Sequence, residues 1–268
     1  MDMATDIVPE LNEAIQSTFQ TRMVSDKRIM RISRRIRDGT ATLVDAHRYS
    51  QYTGENLSKA LLQNLRADTL PGGTLYYNIA NRTVTPALRN NYNLVNEISK
   101  QVQAIADKVT EIGITAVAAD FPEERIKGLI DKMTSYDNLE ESLAWLKEPI
   151  VNNTEAFFDD YVQSNAAFRR DVGLETVITR TAEPNCCEWC ANLEGEWYYG
   201  EEPKEIYQRH EFCRCDVTYK SKRGYNQNVW SKEIWKPSAE ELKARRESQM
   251  PTMSASERQA LINQTIRR

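Results

Sequence analysis

The chain has 268 residues, of which 40% are hydrophobic and 28% charged, and its formal net charge is −4. This composition is typical of a folded globular protein, and the length suits one large domain or two ordinary ones. The sequence has no apolar run of about 18 residues, so it predicts no membrane-spanning helix. Its first residues are acidic and lack a basic-then-apolar stretch, so we expect no secretory signal and a cytosolic site of synthesis.

The first strongly charged segment, residues 22–37, has seven Lys or Arg residues against one Asp. Such a block can contact nucleic acid or an acidic partner. The apolar residues Ile29, Met30 and Ile32 also give it one hydrophobic side, as in an amphipathic surface helix. An ordinary helix with a solvated basic face is therefore the simpler interpretation.

Residues 42–52 predict a helix that carries His47, the one histidine outside the cysteine cluster described below. A lone histidine on a helix more often has a structural than a catalytic role, and we assign His47 a structural one. Residues 70–73 predict a tight turn, because a proline is followed there by two glycines. The polar, asparagine-rich segment 76–92 predicts irregular structure.

Residues 95–112 contain apolar residues at a regular helical spacing, which we call the apolar seam. Six residues recur at alternating spacings of three and four, namely Val95, Ile98, Val102, Ile105, Val109 and Ile112. This pattern predicts one helix with a continuous apolar face, which Gly113 is expected to end. Because the seam is too short to require a coiled coil, it indicates packing within a helical bundle.

Three further helices are predicted downstream. Asp120 stands three residues before Glu123, which is a capping-box spacing, and Pro122 falls in the first turn. The next helix lies near residues 139–147, and Pro149 is expected to close it. The last of the three carries a cluster of apolar and aromatic residues, namely Phe157, Phe158, Tyr161, Val162 and Phe168.

The hydrophobic period then changes from helical to alternating. Three short β-branched or aromatic runs predict strands at residues 176–180, 196–199 and 216–219. We therefore predict an α+β fold. It consists of a helical body at 1–172, a small antiparallel β module at 173–235 and a basic helical tail at 236–268.

The C-terminal segment 220–268 has eleven Lys or Arg residues and five Asp or Glu residues, an excess of +6. Because the whole chain has a net charge of −4, the first 219 residues carry −10. A helix near residues 239–248 is predicted to present Lys243, Arg245 and Arg246. These cations favour contact with DNA or with an acidic protein surface.

All five cysteines and one of the two histidines lie within 30 residues, 186–215. Apart from Cys186 they form two close groups, Cys187 and Cys190, then His210, Cys213 and Cys215. Two such groups brought together make a tetrahedral site of the kind that zinc occupies. We predict one structural Zn²⁺ ion, for which Cys187, Cys190 and Cys213 rank first. His210 and Cys215 compete for the fourth position.

A cluster of small buried thiols and a redox dithiol are the alternatives to a metal site, and Cys186 is expected to be a buried thiol or a neighbour of the site. A redox pair usually opens a helix in a strand–helix unit, which is not the pattern here. A catalytic zinc keeps an open position, whereas this chain has more potential ligands than positions. The sequence also lacks the zinc-protease, P-loop and zinc-deaminase motifs, so no catalytic residues are predicted.

The spacing of the cluster resembles one family closely. The residues concerned are Cys187-x-x-Cys190 with Leu193-Glu-Gly195, then Arg-His-Glu-Phe-Cys-Arg-Cys at 209–215, then Gln-Asn-Val-Trp at 227–230. Together they resemble the C-terminal module of minor head proteins of tailed phages, especially phages of Gram-positive hosts. Segments 120–130 and 148–152 are also similar to that group. The resemblance covers about residues 112–235.

This resemblance implies a non-enzymatic minor capsid component of the virion, made in the host bacterial cytoplasm. It implies a location in the head interior or near the portal, and the portal, major capsid or scaffold protein as partners. A role in head assembly and in genome packaging or ejection is expected, with DNA contact through the basic tail and no membrane contact. The alternative is a zinc-dependent enzyme or toxin that acts on nucleic acid.

Overall fold

The computed structural model describes residues 6–184, residues 186–223 and Glu240. The predicted α+β class is confirmed, since helices form most of this part of the chain and a small antiparallel sheet follows them. The helices are α1 (Val8–Ser25), α2 (Lys27–Arg37), α3 (Leu43–Asn64), α4 (Tyr77–Val109), α5 (Glu123–Met133), α6 (Leu139–Ala144), α7 (Glu148–Asp171) and α8 (Glu188–Asn192). The strands are β1 (Leu174–Thr181), β2 (Gly195–Tyr198) and β3 (Asp216–Arg223).

The chain divides into two compact units, Met1–Gly224 and Tyr225–Arg268. Apart from Glu240, which is helical, the second unit lies outside the described residues. Except for Glu240, the predicted tail helix near residues 239–248 therefore lies outside them, and so do its three cations and the 227–230 part of the resemblance.

Helices α3 and α7 pack together at the centre of the first unit. Gly54 of α3 allows the close approach, because a Cβ atom there would lie 2.9 Å from the Cα of Val151 and 3.0 Å from the Cβ of Thr154 on α7. Helices α1 and α4 pack against α3, and α4 also packs against α7. The apolar faces of these four helices enclose most of the hydrophobic core.

The three predicted strands are confirmed, and they form a sheet in the order β2-β1-β3 with antiparallel pairing throughout. In β1 the residues Thr176, Ile178 and Arg180 are buried while their neighbours are more exposed, as expected when alternate side chains point to opposite faces. The buried face of the sheet lies against α7.

The predicted helical body and β module share one hydrophobic core in the described residues. Ile178 of β1 and both Val217 and Tyr219 of β3 belong to the same buried cluster as Phe158 and Tyr161 of α7. Gly173, with φ +87°, makes the turn from α7 into β1. The sheet is therefore held directly against the helix that precedes it.

The prediction of irregular structure at residues 76–92 is wrong, because α4 begins at Tyr77 and includes nearly all of this segment. Its buried residues, among them Ile79, Thr83, Val84 and Leu88, occupy one helical face. Asparagine content and the exposed Pro86 obscured this period in the sequence. Pro71–Gly73 form the predicted tight turn as a short 3₁₀ helix.

The end predicted for this helix is also wrong, because α4 stops at Val109 and not at Gly113. Glu111 adopts a left-handed conformation with φ 55°, and the amide of Ile112 donates a hydrogen bond to the carbonyl of Asp107. This turn folds Ile112 back into the protein, where it is buried, and leaves Val109 exposed. Of the last two residues of the predicted seam, only Ile112 is therefore buried.

Two helix boundaries near prolines also differ from the prediction. The N-cap of α5 is Pro122 and no side chain caps it, so Asp120 and Glu123 do not form the predicted capping box. Pro149 does not close α6 but lies in the first turn of α7. Proline fits a first turn because the amide it lacks has no partner within the helix there.

No described helix is both long enough and apolar enough to cross a bilayer.

Candidate metal centre

Two short turns present the cysteine and histidine side chains. Cys187 is the N-cap of α8 and Cys190 lies in its first turn, so the helix holds the two thiols close together. In the second turn the amide of Cys213 donates to the carbonyl of His210 at 3.1 Å, and Phe212 adopts a left-handed conformation with φ 60°. Cys215 follows immediately before β3.

The structure brings all five predicted metal-binding residues together, in two groups that share Cys190. Each group has three donor atoms within 4.8 Å of one another, and each can hold a metal ion. The first group is Cys187, Cys190 and His210, and the second is Cys190, Cys213 and Cys215. Cys186 is half-buried and packs against the second group, as the sequence predicted for a neighbour of the site.

The distance between two of the sulfurs suits tetrahedral coordination, whereas the two distances from His210 are shorter than the separation of about 3.6 Å expected between a nitrogen and a sulfur ligand of one zinc ion. Nε2 of His210 lies 3.2 Å from Sγ of Cys187 and 3.0 Å from Sγ of Cys190. The sulfurs of Cys190 and Cys213 are 3.7 Å apart. Two sulfurs bound to one zinc ion at about 2.3 Å in a tetrahedron are about 3.8 Å apart. The Cys190–Cys213 separation is therefore close to that of two ligands of one ion.

The hydrogen bonding of His210 leaves the correct nitrogen free for a metal. Its Nδ1 lies 2.6 Å from the carbonyl oxygen of Glu211. Because a carbonyl oxygen can only accept, Nδ1 carries the proton and Nε2 carries the lone pair. A hydrogen bond from the ring nitrogen that does not bind the metal is usual for a histidine ligand, since it sets the tautomer and the ring orientation.

Arg180 of β1 is a buried cation that faces the sulfurs. Arg180 is 1% exposed, and its Nη2 lies 3.7 Å from Sγ of Cys190 and 3.8 Å from Sγ of Cys213. Its Nη1 donates to the carbonyls of Ile206 and Gln208. Within the described residues it forms no ion pair with a carboxylate. A buried guanidinium requires a counter-charge, and the nearest groups that can supply one are the two sulfurs as thiolates.

In the absence of a metal two of the buried thiols, those of Cys190 and Cys213, hold their protons strongly. Hydrogen bonding with Cys215 and burial raise the pKa of Cys213 to about 12, and burial raises the pKa of Cys190. The hydrogen bond from Cys213 lowers the pKa of Cys215. A bound metal ion would deprotonate its thiol ligands outright and so provide the negative charge opposite Arg180.

A network of buried charges connects the second turn to the helical body. Arg209, which precedes His210, forms a two-point ion pair with Asp159 of α7. Arg214, between Cys213 and Cys215, pairs with Glu148 at 2.7 Å and with Glu155 at 3.1 Å, both on α7. The second turn is therefore attached to the body through both of its arginines.

His47 is part of this network. It is fully buried on α3, its Nδ1 contacts the carboxylate of Asp216, and its Nε2 lies 2.9 Å from Nη2 of Arg209. Because a guanidinium can only donate, Nε2 accepts and Nδ1 carries the proton. Glu155, also buried, lies 3.6 Å from Nε2, and burial raises the pKa of its carboxyl group. These contacts fit the structural role predicted for His47.

Sequence reasoning missed Arg180, Arg209 and the acidic residues of α7 that surround the centre. For Arg180 a signal was present, because it continues the alternation of Thr176 and Ile178, the buried positions of this strand. An arginine at an inward-facing strand position needs a specific partner. For Asp159 no local pattern indicated a contact with a residue 50 positions away.

Comparison of the chain with protein-family models, with curated proteins and with solved structures gives no significant match. The motifs quoted above and the geometry of the centre are therefore the basis of the functional proposal.

Proposed function

We propose that the centre binds one structural Zn²⁺ ion through Cys187, Cys190, His210 and Cys213. The chief support is Arg180, a buried cation whose nearest possible counter-charges are the sulfurs of Cys190 and Cys213. The 3.7 Å separation of these sulfurs and the free Nε2 of His210 also fit a tetrahedral ion. Cys215 competes with His210 for the fourth position. If His210 binds the ion, Cys215 lies next to the ion without binding it.

The ion holds a part of the chain that has little core of its own. Between β2 and β3 the described residues contribute Ile206 to the hydrophobic core, and turns occupy most of that stretch. A metal ion that cross-links α8 to the turn before β3 would set the position of both. With four protein ligands, no position remains for a reacting water, so the proposed role is structural and not catalytic.

We further propose that the protein is a non-enzymatic minor capsid component of a phage head. The observation that carries this proposal is a contact between two segments that resemble that family. Asn152, from segment 148–152, donates to the carbonyl of His210 at 3.3 Å, and Glu148 pairs with Arg214. Two motifs that are separate in the sequence are thus in contact beside the centre. This is expected if both motifs belong to the same structural module of the family.

Metal analysis tests the first proposal. Protein purified without chelator is expected to contain one zinc per chain by elemental analysis, and Cys190→Ser is expected to lose it. Cys213→Ser should lose metal as well, whereas Cys215→Ser should retain most of it. Wild-type protein without any bound metal would contradict the proposal, and loss in Cys215→Ser with retention in His210→Ala would reassign the fourth ligand to Cys215.

Mass spectrometry of purified virions tests the second proposal. The wild-type protein is expected in the heads, and Cys190→Ser is expected to reduce its incorporation or the infectivity of the particles. Absence of the wild-type protein from virions would reject a capsid role. Cleavage or modification of nucleic acid by the purified protein, lost in Cys190→Ser, would instead support the zinc-dependent enzyme.

A further inference from the structure

Helix α2 presents an outward face on which every charged side chain is a cation. The helix has six Lys or Arg residues among eleven and no acidic residue. Its exposed residues are Lys27, Met30, Arg31, Ser33, Arg34, Arg35 and Arg37. The structure therefore concentrates positive charge on one surface of a chain whose net charge is negative.

The opposite face of α2 is already used within the protein. Ile29 and Ile32 are buried, Ile36 is half-buried, and they pack with Tyr49 of α3 in a small apolar cluster. The helix therefore has no free apolar face to insert between lipid tails, which an interfacial membrane helix requires. What it presents to solvent is mainly charge, with Met30 as a single exposed apolar side chain.

Most of these cations are not used in internal ion pairs. Arg28 pairs with Asp26 and Glu55, and Arg35 pairs with Asp45. Four others, Lys27, Arg31, Arg34 and Arg37, form no ion pair within the described residues. A solvated helix face more commonly mixes charges of both signs along its length.

Helix stability does not account for the arrangement. Cations in the last turn, such as Arg34 and Arg37, interact favourably with the helix dipole. Lys27 is the first residue of the helix, where the dipole disfavours a positive charge, and Arg31 lies in the middle, where the dipole has little effect. The positive charge thus extends beyond the region where it would stabilise α2.

The spacing of the cations fits a polyanion with closely spaced charges. Lys27, Arg31 and Arg34 follow one another at i, i+4 and i+7, so they lie on one face. They span about 10 Å of helix, and duplex DNA carries about one charge per 1.7 Å of its axis. Arginine, the main cation here, can bind phosphate oxygens with two parallel hydrogen bonds.

Apart from its Arg and Lys residues, which bind phosphate and can also contact guanine, the same face lacks the side chains that read or stack bases. Its exposed residues include no aromatic side chain on which single-stranded bases could stack, and no Asn or Gln to contact base edges. We propose that the exposed face of α2 binds the phosphate backbone of duplex DNA without base-sequence preference. This inference does not depend on the zinc ion or on a capsid role.

The test compares two triple variants of the full-length protein by fluorescence anisotropy with a labelled duplex of mixed sequence. Lys27→Gln/Arg31→Gln/Arg34→Gln is expected to bind at least about tenfold more weakly. The slope of log affinity against log salt should also become smaller by about three, close to one per lost phosphate contact. The C-terminal cations are present in both variants, so their contribution is equal in the comparison.

The matched control removes the same charge elsewhere, through Lys108→Gln/Lys127→Gln/Lys204→Gln, three exposed residues away from α2. It is expected to bind within about twofold of the wild type, since it changes net charge alone. Arg31→Lys/Arg34→Lys, which keeps the charge, should retain the salt slope. Circular dichroism of each variant checks that α2 remains folded.

An equal loss of duplex affinity in both triple variants would show that only the net charge of the protein matters. This result would overturn the proposal. Unchanged duplex binding in the α2 variant would overturn it too. The same variants are tested with a poly-glutamate peptide and with vesicles containing anionic phospholipid. Dependence of either interaction on α2, without any dependence of duplex binding, would reassign the surface to an acidic protein or a membrane. Cys190→Ser should bind the duplex normally even if it loses zinc.

Discussion

Arg209 and Asp159 form a buried two-point ion pair between the turn at residues 209–215 and the middle of helix α7. The Arg209 side chain is 5% exposed and that of Asp159 is 2% exposed, and Nη2 donates to Oδ1 at 2.8 Å. The same Nη2 also contacts His47 of α3. Since Arg209 directly precedes His210, the helical body positions one of the proposed ligands.

Breaking this pair should destabilise the whole unit. Asp159→Ala is expected to lower the free energy of unfolding by about 3–5 kcal/mol, because Arg209 would remain buried without its main counter-charge. Urea denaturation monitored by circular dichroism measures the effect. Asp68→Ala removes a carboxylate from an exposed pair with Arg66 and should cost less than about 1 kcal/mol. Equal costs for the two variants would show that the buried pair has no special role.

Arg180 is expected to support the metal through charge. Arg180→Leu, which keeps an apolar side chain at this buried position, should weaken zinc affinity by about 10–100-fold, the usual effect of losing a group that supports metal ligands. Competition with a chromophoric chelator measures this affinity. Arg180→Lys retains the positive charge and should recover part of it. If the leucine and lysine variants bind zinc equally well, the charge of Arg180 does not matter.

Zinc affinity should increase with pH. Hydrogen bonding with Cys215 and burial raise the pKa of Cys213 to about 12, and burial raises the pKa of Cys190, so both thiols are protonated at neutral pH without metal. Zinc must displace those protons, and this competition weakens as pH rises. Chelator competition between about pH 6 and pH 9 is expected to show a steady gain in affinity. A pH-independent affinity would mean that the ligands are already deprotonated or are not thiols.

The close contact of α3 and α7 should not tolerate a larger residue at position 54. A Cβ atom on Gly54 would lie 2.9 Å from Val151 Cα, so Gly54→Ala is expected to cost about 1–3 kcal/mol through overpacking. Gly128, on α5, has no atom near the position of an added Cβ. Gly128→Ala should therefore stabilise the protein by about 0.5–1 kcal/mol. Thermal denaturation compares the two, and a similar sign for both would contradict the packing argument.

Asp26 should contribute stability that is lost in acid. It caps α2 by accepting from the amide of Arg28 at 2.9 Å, and its hydrogen bonds with the Arg28 side chain and with Asn56 lower its pKa. Because the folded pKa is below the unfolded value of about 4, the contribution is complete above that pH and falls as pH decreases further. Asp26→Asn is expected to cost about 1 kcal/mol at pH 7 and less near pH 3. A cost independent of pH would exclude the ionised carboxylate as its source.

Local patterns in the sequence were sufficient for the strands and for most helices. The β-branched run at residues 176–180 and the aromatic run at 196–199 predicted β1 and β2, because alternation is a property of each short segment by itself. Segment 76–92 was misjudged since its asparagines are not at a turn: Asn78, Asn81 and Asn90 lie on the exposed face of α4, and Asn91 is buried and donates to Thr154 of α7. Pro149 was misread because a proline favours both the region after one helix and the first turn of the next.

The sequence by itself determined that the potential metal ligands lie close together, since all of them fall within 30 residues and their spacing brings them into two tight turns. Only the tertiary structure decided what surrounds them. His47 and Asp216 are 169 residues apart in the sequence, and Arg209 and Asp159 are 50 apart. Contacts of this kind depend on how α3, α7 and the sheet pack, because a buried charge takes its partner from whichever element lies next to it in space.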